Sequence, residues 1–93
     1  MGTLRQKMAD LLAQEVMNAR DLSQALSITE KEVYDHLTHL EQSLKRQKKK
    51  LIVIPYQCLK CGYAFRNRKR LTRPGRCPHC REGHIQEALY HIE

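Results

Sequence analysis

An α+β fold, with three helices followed by a β-hairpin that carries a small insertion, is predicted by three observations. The N-terminal half holds three amphipathic segments with helix-start signals. Two segments rich in β-branched and aliphatic residues, 51–57 and 85–92, flank a stretch with four cysteines. These cysteines form two C-x₂-C pairs. We therefore expect one domain over residues 1–57, completed by a strand at 85–93, with the insertion at 58–84.

The first helix is predicted at residues 3–15. Thr3 is a suitable N-cap, and Gln6 three residues later fits a capping box. Apolar residues recur at helical spacing on one side, at Leu4, Met8, Leu11 and Leu12. The pattern indicates a helix that packs into the core.

A second, shorter helix is predicted at residues 19–26, after a short link at 16–18. Asn18 is a good N-cap, and Asp21 suits the positive end of the helix dipole. The two residues at 27–28 then provide a turn. Such a short helix is typical of the first element of a helix-turn-helix.

The third helix has the strongest start signal, because Thr29 and Glu32 fit a capping box. Its apolar residues form one narrow stripe, Val33, Leu37, Leu40 and Leu44. Two helices joined by a tight turn and preceded by a packing helix are the helix-turn-helix arrangement.

Segments 51–57 and 85–92 are predicted to pair as antiparallel strands, with Pro55 favouring an edge or strand-end position. A hairpin that follows a helix-turn-helix is the wing of a winged-helix domain. The cysteine-rich insertion would lie at the tip of this wing, with a short strand at 63–65.

Four cysteines in two pairs, with fifteen residues between the pairs, have the spacing of a four-thiolate metal site. Gly62 follows the first pair and tolerates the positive φ of a tight turn. The alternatives are four unrelated buried cysteines or two disulfides. The predicted ligands are Cys58, Cys61, Cys77 and Cys80.

Zinc is the predicted metal, one ion per chain, and iron in an electron carrier is the alternative. The chain is basic and has few aromatic residues, and Arg81 stands where a glycine usually follows the second pair. Four thiolates fill a tetrahedron, so the site is structural and not catalytic. His79 and His84 are weaker candidates, and we treat both as non-ligands.

The charge distribution favours a polyanionic partner. The net charge is +7, and four thiolates with one Zn²⁺ would leave +5. Residues 1–44 hold 4 basic and 7 acidic side chains, whereas residues 45–93 hold 13 basic and 3 acidic ones. Nucleic acid is the usual partner of such a basic half, and a solubilising surface is the alternative. No long apolar segment or signal peptide is visible, and four reduced cysteines favour the cytoplasm.

Two basic segments are the predicted phosphate contacts. Five of the six residues at 45–50 are basic, more than a helix end needs to complement its dipole, although a solvated helix end is the alternative. Six of the eleven residues at 66–76 are also basic. The predicted nucleic-acid-binding residues are Lys31, Thr38, Lys45, Arg46, Lys48, Lys49, Lys50, Arg66, Arg68, Lys69, Arg70 and Arg73.

Nearly the whole chain resembles the predicted transcriptional regulators of archaea and bacteria in which a winged-helix domain is fused to a rubredoxin-like zinc ribbon. The matching stretches are ITEKEVYDHL at 28–37, KLIV at 50–53, CLKCGYAF at 58–65 and PGRCPHC at 74–80. The resemblance implies binding to double-stranded DNA and control of transcription, with a structural zinc ion.

Two functions from different classes follow. A DNA-binding regulator without catalysis is the main prediction, since no nucleophile–base arrangement stands out. The alternative is an adaptor of RNA polymerase or another nucleic-acid machine, because residues 29–44 carry a net charge of −3 and could dock a protein. Tyr63 and Phe65 are expected in the ribbon core and not as base-stacking surfaces. A homodimer is left open.

Overall fold

Three helices form the N-terminal half of the chain in the computed structural model, which describes residues 3–66 and 71–93. They are α1 (Leu4–Gln14), α2 (Ala19–Leu26) and α3 (Glu30–Arg46). All three predicted helices are confirmed. Within the described residues, the helices are too short or too polar to cross a membrane.

The helix starts follow the predicted caps, with one difference. At α3, Glu32 N donates to Thr29 Oγ1 and Thr29 N donates to Glu32 Oε2, both at 3.1 Å. Asn18 and Asp21 close the same kind of box at α2. At α1, Thr3 Oγ1 accepts from Gln6 N, but the Gln6 side chain donates to Asp10 instead of returning to the cap. The α1 box is therefore only half formed.

The end of α3 is a Schellman motif that leads into the sheet. Lys49 N donates to Leu44 O at 2.9 Å, and Lys48 N donates to Lys45 O at 3.3 Å. Lys48 has a φ of +60°, in the left-handed region. This reversal satisfies the last carbonyls of α3 and sends the chain towards the next strand.

A three-stranded antiparallel sheet packs against the helices. Its strands are β1 (Met17–Asn18), β2 (Leu51–Ile54) and β5 (Leu89–Ile92), in the order β1-β5-β2. The predicted pairing of the two long segments is confirmed. The predicted link at 16–18 is wrong in part, because Met17 pairs with Tyr90. Two residues are too few to show a strand periodicity, so local sequence does not reveal β1.

A second, two-stranded sheet pairs β3 (Gln57–Cys58) with β4 (Ile85–Gln86). The strand predicted at 51–57 is therefore divided into β2 and β3, and the strand predicted at 85–92 is divided into β4 and β5. The break at Pro55 agrees with a residue that lacks an amide donor. The strand predicted at 63–65 is reduced to a single bridge, between Ala64 and Gln57.

The buried side chains form one cluster that extends from the helices into the cysteine-rich segment. On α1 only Met8 and Leu12 are buried, whereas Leu4 is 39% exposed. The α3 stripe is buried throughout, as predicted: Val33, Leu37, Leu40 and Leu44. Further members come from the sheets and the cysteine-rich segment: Tyr56, Cys58, Cys77, Ile85, Ala88, Tyr90 and Ile92. The insertion thus shares a core with the helices.

Candidate metal centre and basic surface

The four cysteine sulfurs converge at one point. All four Sγ atoms lie within 4.8 Å of one another. The Cys58–Cys80 and Cys61–Cys77 sulfurs are 3.4 and 3.6 Å apart, too far for the roughly 2.05 Å of a disulfide bond. A regular tetrahedron with Zn–S distances of about 2.3 Å has sulfur–sulfur edges of about 3.8 Å. The geometry therefore fits a metal centre and not the alternative of two disulfides.

The two cysteine pairs lie in loops with the same backbone hydrogen bonds. Gly62 N donates to Cys58 O at 2.9 Å, and Arg81 N donates to Cys77 O at 2.8 Å. In the reverse direction, Cys58 N donates to Tyr63 O at 2.8 Å and Cys77 N donates to Glu82 O at 2.9 Å. The two loops are thus repeats of one turn.

The same backbone conformation recurs at the residue after each pair. Gly62 has a φ of +79°, and Arg81 has a φ of +64°. Arg81 departs from the usual residue type at this position but keeps the left-handed conformation that the turn requires. The second loop is therefore complete despite the missing glycine.

Backbone amides favour the charged form of the sulfurs. His79 N donates to Cys77 Sγ at 3.4 Å. The amides of Cys61 and Lys60 lower the pKa of Cys58 to about 6, despite the opposing effect of burial. A thiolate held by amide donors is the form in which cysteine binds metal.

The other sulfurs show why a cation is needed. The Tyr63 amide favours the Cys61 thiolate, but burial and the hydrogen bonds with Cys77 and Cys58 outweigh it and raise the Cys61 pKa. The Glu82 amide lowers the pKa of Cys80, but burial and the neighbouring thiols outweigh it and raise this pKa to about 12. Four such close thiols cannot all ionise without a compensating positive charge. A divalent ion would supply that charge.

The donor set fits one structural zinc ion. Four sulfurs close a tetrahedral coordination sphere, and none of the predicted non-ligands joins them. His79 stacks on the Tyr63 ring, with centroids 6.3 Å apart and an interplanar angle of 8°. His84 is exposed. Zinc held here would fix the two loops to each other and leave no open position for a substrate.

Two tyrosines join this metal-binding segment to α3. The Tyr56 hydroxyl donates to Leu71 O at 2.9 Å and lies 3.2 Å from the Tyr34 hydroxyl oxygen. Burial raises the pKa of both tyrosines, so both stay neutral hydrogen-bonding groups. The sequence does not predict this contact. Its one local signal is that Tyr34 follows Val33 of the α3 stripe directly.

Arg73 differs from the other predicted contact residues that the structure describes, because its guanidinium is paired with groups of the protein itself. Its Nη1 lies 3.2 Å from Glu87 Oε1, and its Nη2 donates to Ile85 O at 3.4 Å. Lys60 is likewise paired with Glu82 at 3.2 Å. Arg73 thus connects the segment that follows Leu71 to Ile85 of β4, and the Glu87 carboxylate offsets its charge.

The cations at the end of α3 are brought together at one corner of the molecule. They occupy the last turn of α3, the Schellman motif and the residue before β2, and all of them are exposed. None forms an ion pair with a residue that the structure describes. We call these residues the basic corner: Lys45, Arg46, Lys48, Lys49 and Lys50.

The remaining predicted contact residues that the structure describes lie outside the basic corner. Lys31 is exposed on the first turn of α3, and Arg66 is exposed in the ribbon. Thr38 is exposed, with its hydroxyl donating to Tyr34 O at 3.0 Å. Arg68, Lys69 and Arg70 lie outside the described residues.

The acidic residues of α3 do not all face outwards. The Glu32 carboxylate accepts from the Thr29 amide, and Glu41 lines a shallow groove with Lys45, Lys49 and Lys50. Glu30, Glu32 and Asp35 are all exposed, and Glu41 alone among the acidic residues of α3 is half-buried. The exposed side chains of residues 29–44 therefore remain acidic, with three carboxylates against Lys31.

Tyr63 is 40% exposed, so the expectation that it lies in the ribbon core is wrong. It packs edge-on against Phe65, with centroids 5.0 Å apart. Phe65 is partly buried against the core, as expected. Since Phe65 and the buried cysteines fill the small interior, Tyr63 lies at its rim.

Comparisons with known proteins agree with this division into a helical part and a metal-binding part. A family model described as "PF0610-like, N-terminal" matches residues 3–52. A second, described as "PF0610 rubredoxin-like zinc beta-ribbon domain", matches residues 55–93. No match was found among curated proteins.

One solved structure is similar over the full length. It is the solution NMR structure of protein PF0610 from Pyrococcus furiosus, with a TM-score of 0.84 and 27% sequence identity. The match covers 100% of this chain and 92% of that chain. The zinc-ribbon half of the expected resemblance is thereby confirmed. The chain belongs to the PF0610-like family, which joins an N-terminal helical domain to a rubredoxin-like zinc β-ribbon.

Proposed function

We propose that this protein is a DNA-binding regulator of transcription, built as a winged helix-turn-helix whose wing carries the zinc ribbon. The observation that carries the proposal is the basic corner, which gathers five exposed cations without ion-pair partners among the described residues. Unpaired cations are the groups that gain most from phosphates, because binding releases the counterions of DNA.

The order of elements supports the winged-helix part of the proposal. The sequence α1, β1, α2, α3, β2 and β5, with a β1-β5-β2 sheet, is the arrangement expected for such a domain. The connection between α2 and α3 is short, with Ser27 at a φ of +56° and Ile28 N donating to Ser23 O at 3.0 Å. The zinc ribbon would hold the distal part of the wing in a fixed shape.

Duplex affinity should depend steeply on salt if the basic corner contacts phosphates. Each contact contributes about 0.9 to the slope of log affinity against log salt for B-DNA. We propose measuring fluorescence anisotropy with a labelled mixed-sequence duplex between about 50 and 200 mM salt. Replacing Lys49 and Lys50 by glutamine should lower the affinity and reduce the slope by up to about 2.

The matched control is the double change Lys7→Gln and Lys60→Gln, which removes the same charge. Lys7 is exposed on α1, and Lys60 is already paired with Glu82. The control should bind nearly as the unchanged protein does. If both double variants lose affinity equally, only the net charge matters and the basic corner has no special role.

A second candidate is an adaptor of RNA polymerase or another nucleic-acid machine. It is favoured by two exposed apolar side chains in the first cysteine loop, Leu59 at 64% and Tyr63 at 40% exposure. Capture of partners from nuclease-treated extract tests it. A partner that is retained without nucleic acid, and lost on Leu59→Ser, supports the adaptor over the regulator.

A further inference from the structure

Two cationic residues occupy backbone positions that usually belong to glycine. Among the described residues, the non-glycine residues with positive φ are Ser27, Lys48 and Arg81, at +56°, +60° and +64°. Lys48 stands at the position after the α3 end where a Schellman motif prefers glycine. Arg81 stands where the first cysteine loop has Gly62.

Backbone bonds, and not the side chains, impose these conformations. Arg81 N donates to Cys77 O, as Gly62 N does to Cys58 O in the first loop. Lys48 N donates to Lys45 O within the Schellman motif. A residue with a Cβ is disfavoured in the left-handed region, and glycine is not. Both positions would therefore be more stable with glycine.

Nothing among the described residues compensates for the two side chains. Arg81 and Lys48 are exposed, and neither side chain forms a hydrogen bond or ion pair with a described residue. Lys60 and Arg73, by contrast, pair with carboxylates. Residues held in disfavoured conformations cluster at functional sites, where the side chain is needed.

Two internal explanations compete with an external partner. Lys48 could complement the dipole of α3, but Lys45 and Arg46 already lie in its last turn. Arg81 could offset the negative charge of a zinc ion held by four thiolates. If Arg81 has this second role, its replacement should make the protein lose zinc faster, which can be measured.

We propose that Arg81 is a contact residue for the sugar-phosphate backbone of duplex DNA, and that Lys48 has the same role at the end of α3. This inference rests on the proposed function. It adds Arg81 to the binding surface and assigns the two strained positions one common cause. The charge of each side chain is retained at the expense of stability.

Glycine substitutions give a test in which stability and binding move in opposite directions. Arg81→Gly and Lys48→Gly should each raise the urea midpoint of the zinc-loaded protein, because the strain is relieved. Each should weaken duplex binding by about three- to tenfold at low salt and reduce the salt slope by about 0.9. The double variant should show the sum of both effects.

Three controls separate charge, strain and metal. Arg81→Asn removes the charge and tolerates the left-handed region, so binding should weaken while the urea midpoint changes little. Lys7→Gln removes one exposed charge from α1 and should leave the affinity within about twofold. The rate of zinc transfer from Arg81→Gly to a chromophoric chelator should equal that of the unchanged protein.

Several outcomes overturn the inference. Unchanged affinity and slope in Arg81→Gly and Arg81→Asn would remove Arg81 from the DNA surface. Faster zinc loss from Arg81→Gly would assign Arg81 to the metal centre instead. If Lys49→Gln with Lys50→Gln weakens binding and the glycine variants do not, the proposed function stands and this inference fails. If the unchanged protein shows no salt-dependent duplex binding, both fail.

Discussion

Tyr56 is the side chain through which α3 meets the metal-binding ribbon. It is 3% exposed, and its hydroxyl lies against Leu71 O and the Tyr34 hydroxyl. Tyr90 is also buried, and its hydroxyl forms no hydrogen bond of good geometry among the described residues, although it lies near the Tyr56 hydroxyl. The two hydroxyls should therefore make different contributions to stability.

We predict that Tyr56→Phe lowers the free energy of unfolding by about 1 kcal/mol, because a net hydrogen bond is lost and the Leu71 carbonyl is left without this donor. Tyr90→Phe is the matched control and should have a smaller effect, since the hydroxyl that it removes forms no hydrogen bond of good geometry among the described residues. Urea unfolding of the zinc-loaded proteins measures both. Equal losses in the two variants would contradict the assignment of these roles.

Stability should also fall at alkaline pH. Burial raises the pKa of Tyr90 from 10.0 to about 12, so the folded state retains a proton that the unfolded state releases first. The contribution is fully present below pH of about 10 and is lost as the pH rises towards about 12. Urea midpoints at increasing pH measure this loss. Tyr90→Phe should show a shallower decline, and an identical decline would exclude Tyr90 as a source.

At the scale of the elements, the local signals explain the helices and leave the strands incomplete. Caps such as Asn18 and Thr29 act within three residues, so sequence alone places α2 and the start of α3. β1 exists because Met17 meets Tyr90 across the sheet. Segments 51–57 and 85–92 each divide into two strands because their outer halves pair as β2 with β5, and their inner halves pair as β3 with β4. Such long-range pairings leave no periodic trace in short segments.

The cap of α3 should matter more than the cap of α1. We predict that Thr29→Ala lowers the free energy of unfolding by about 1 kcal/mol, because the Glu32 amide loses its acceptor, Thr29 Oγ1, at the start of the helix that carries the buried stripe. Thr3→Ala removes the same kind of bond but should have a smaller effect, since α1 buries only Met8 and Leu12 whereas α3 buries its whole apolar stripe. Urea midpoints of the two variants give the comparison. A larger loss for Thr3→Ala would contradict the structure.

At the scale of the whole molecule, the zinc ribbon is a large connection between two paired strands. The chain enters the ribbon after β2 and leaves it before β5. Cys58, Cys77 and Ile85 belong to the same buried core as the helices. The cysteine ligands could be predicted from spacing, because a C-x₂-C turn is local. The Arg73–Glu87 pair and the Tyr34–Tyr56 contact could not, because spacing says nothing about which distant side chains meet.

Removing the metal should destabilise both parts of the molecule. Structural zinc sites supply on the order of 10 kcal/mol, and the ribbon closes the connection between β2 and β5. We predict that a chelator lowers the free energy of unfolding by several kcal/mol while much of the helical circular dichroism remains. Cys77→Ser should behave as the chelated protein does. Unchanged thermal unfolding after complete zinc removal would contradict this coupling.

The metal content itself tests the site. We expect one zinc ion per chain by elemental analysis of protein isolated from cells, and a colourless solution. A coloured protein with bound iron would support the electron-carrier alternative and contradict a purely structural role.

The position of β5 has a consequence for synthesis. Of the three strands in this sheet it is made after the other two, yet it lies in the middle, between β1 and β2. A nascent chain therefore exposes two unpaired strands until the ribbon has left the ribosome and β5 has followed it. The cysteine loops can capture zinc before that moment and bring the incoming strand close to its place. Chains that stop early or emerge without zinc would keep open strand edges, which are targets for aggregation and for quality-control proteases.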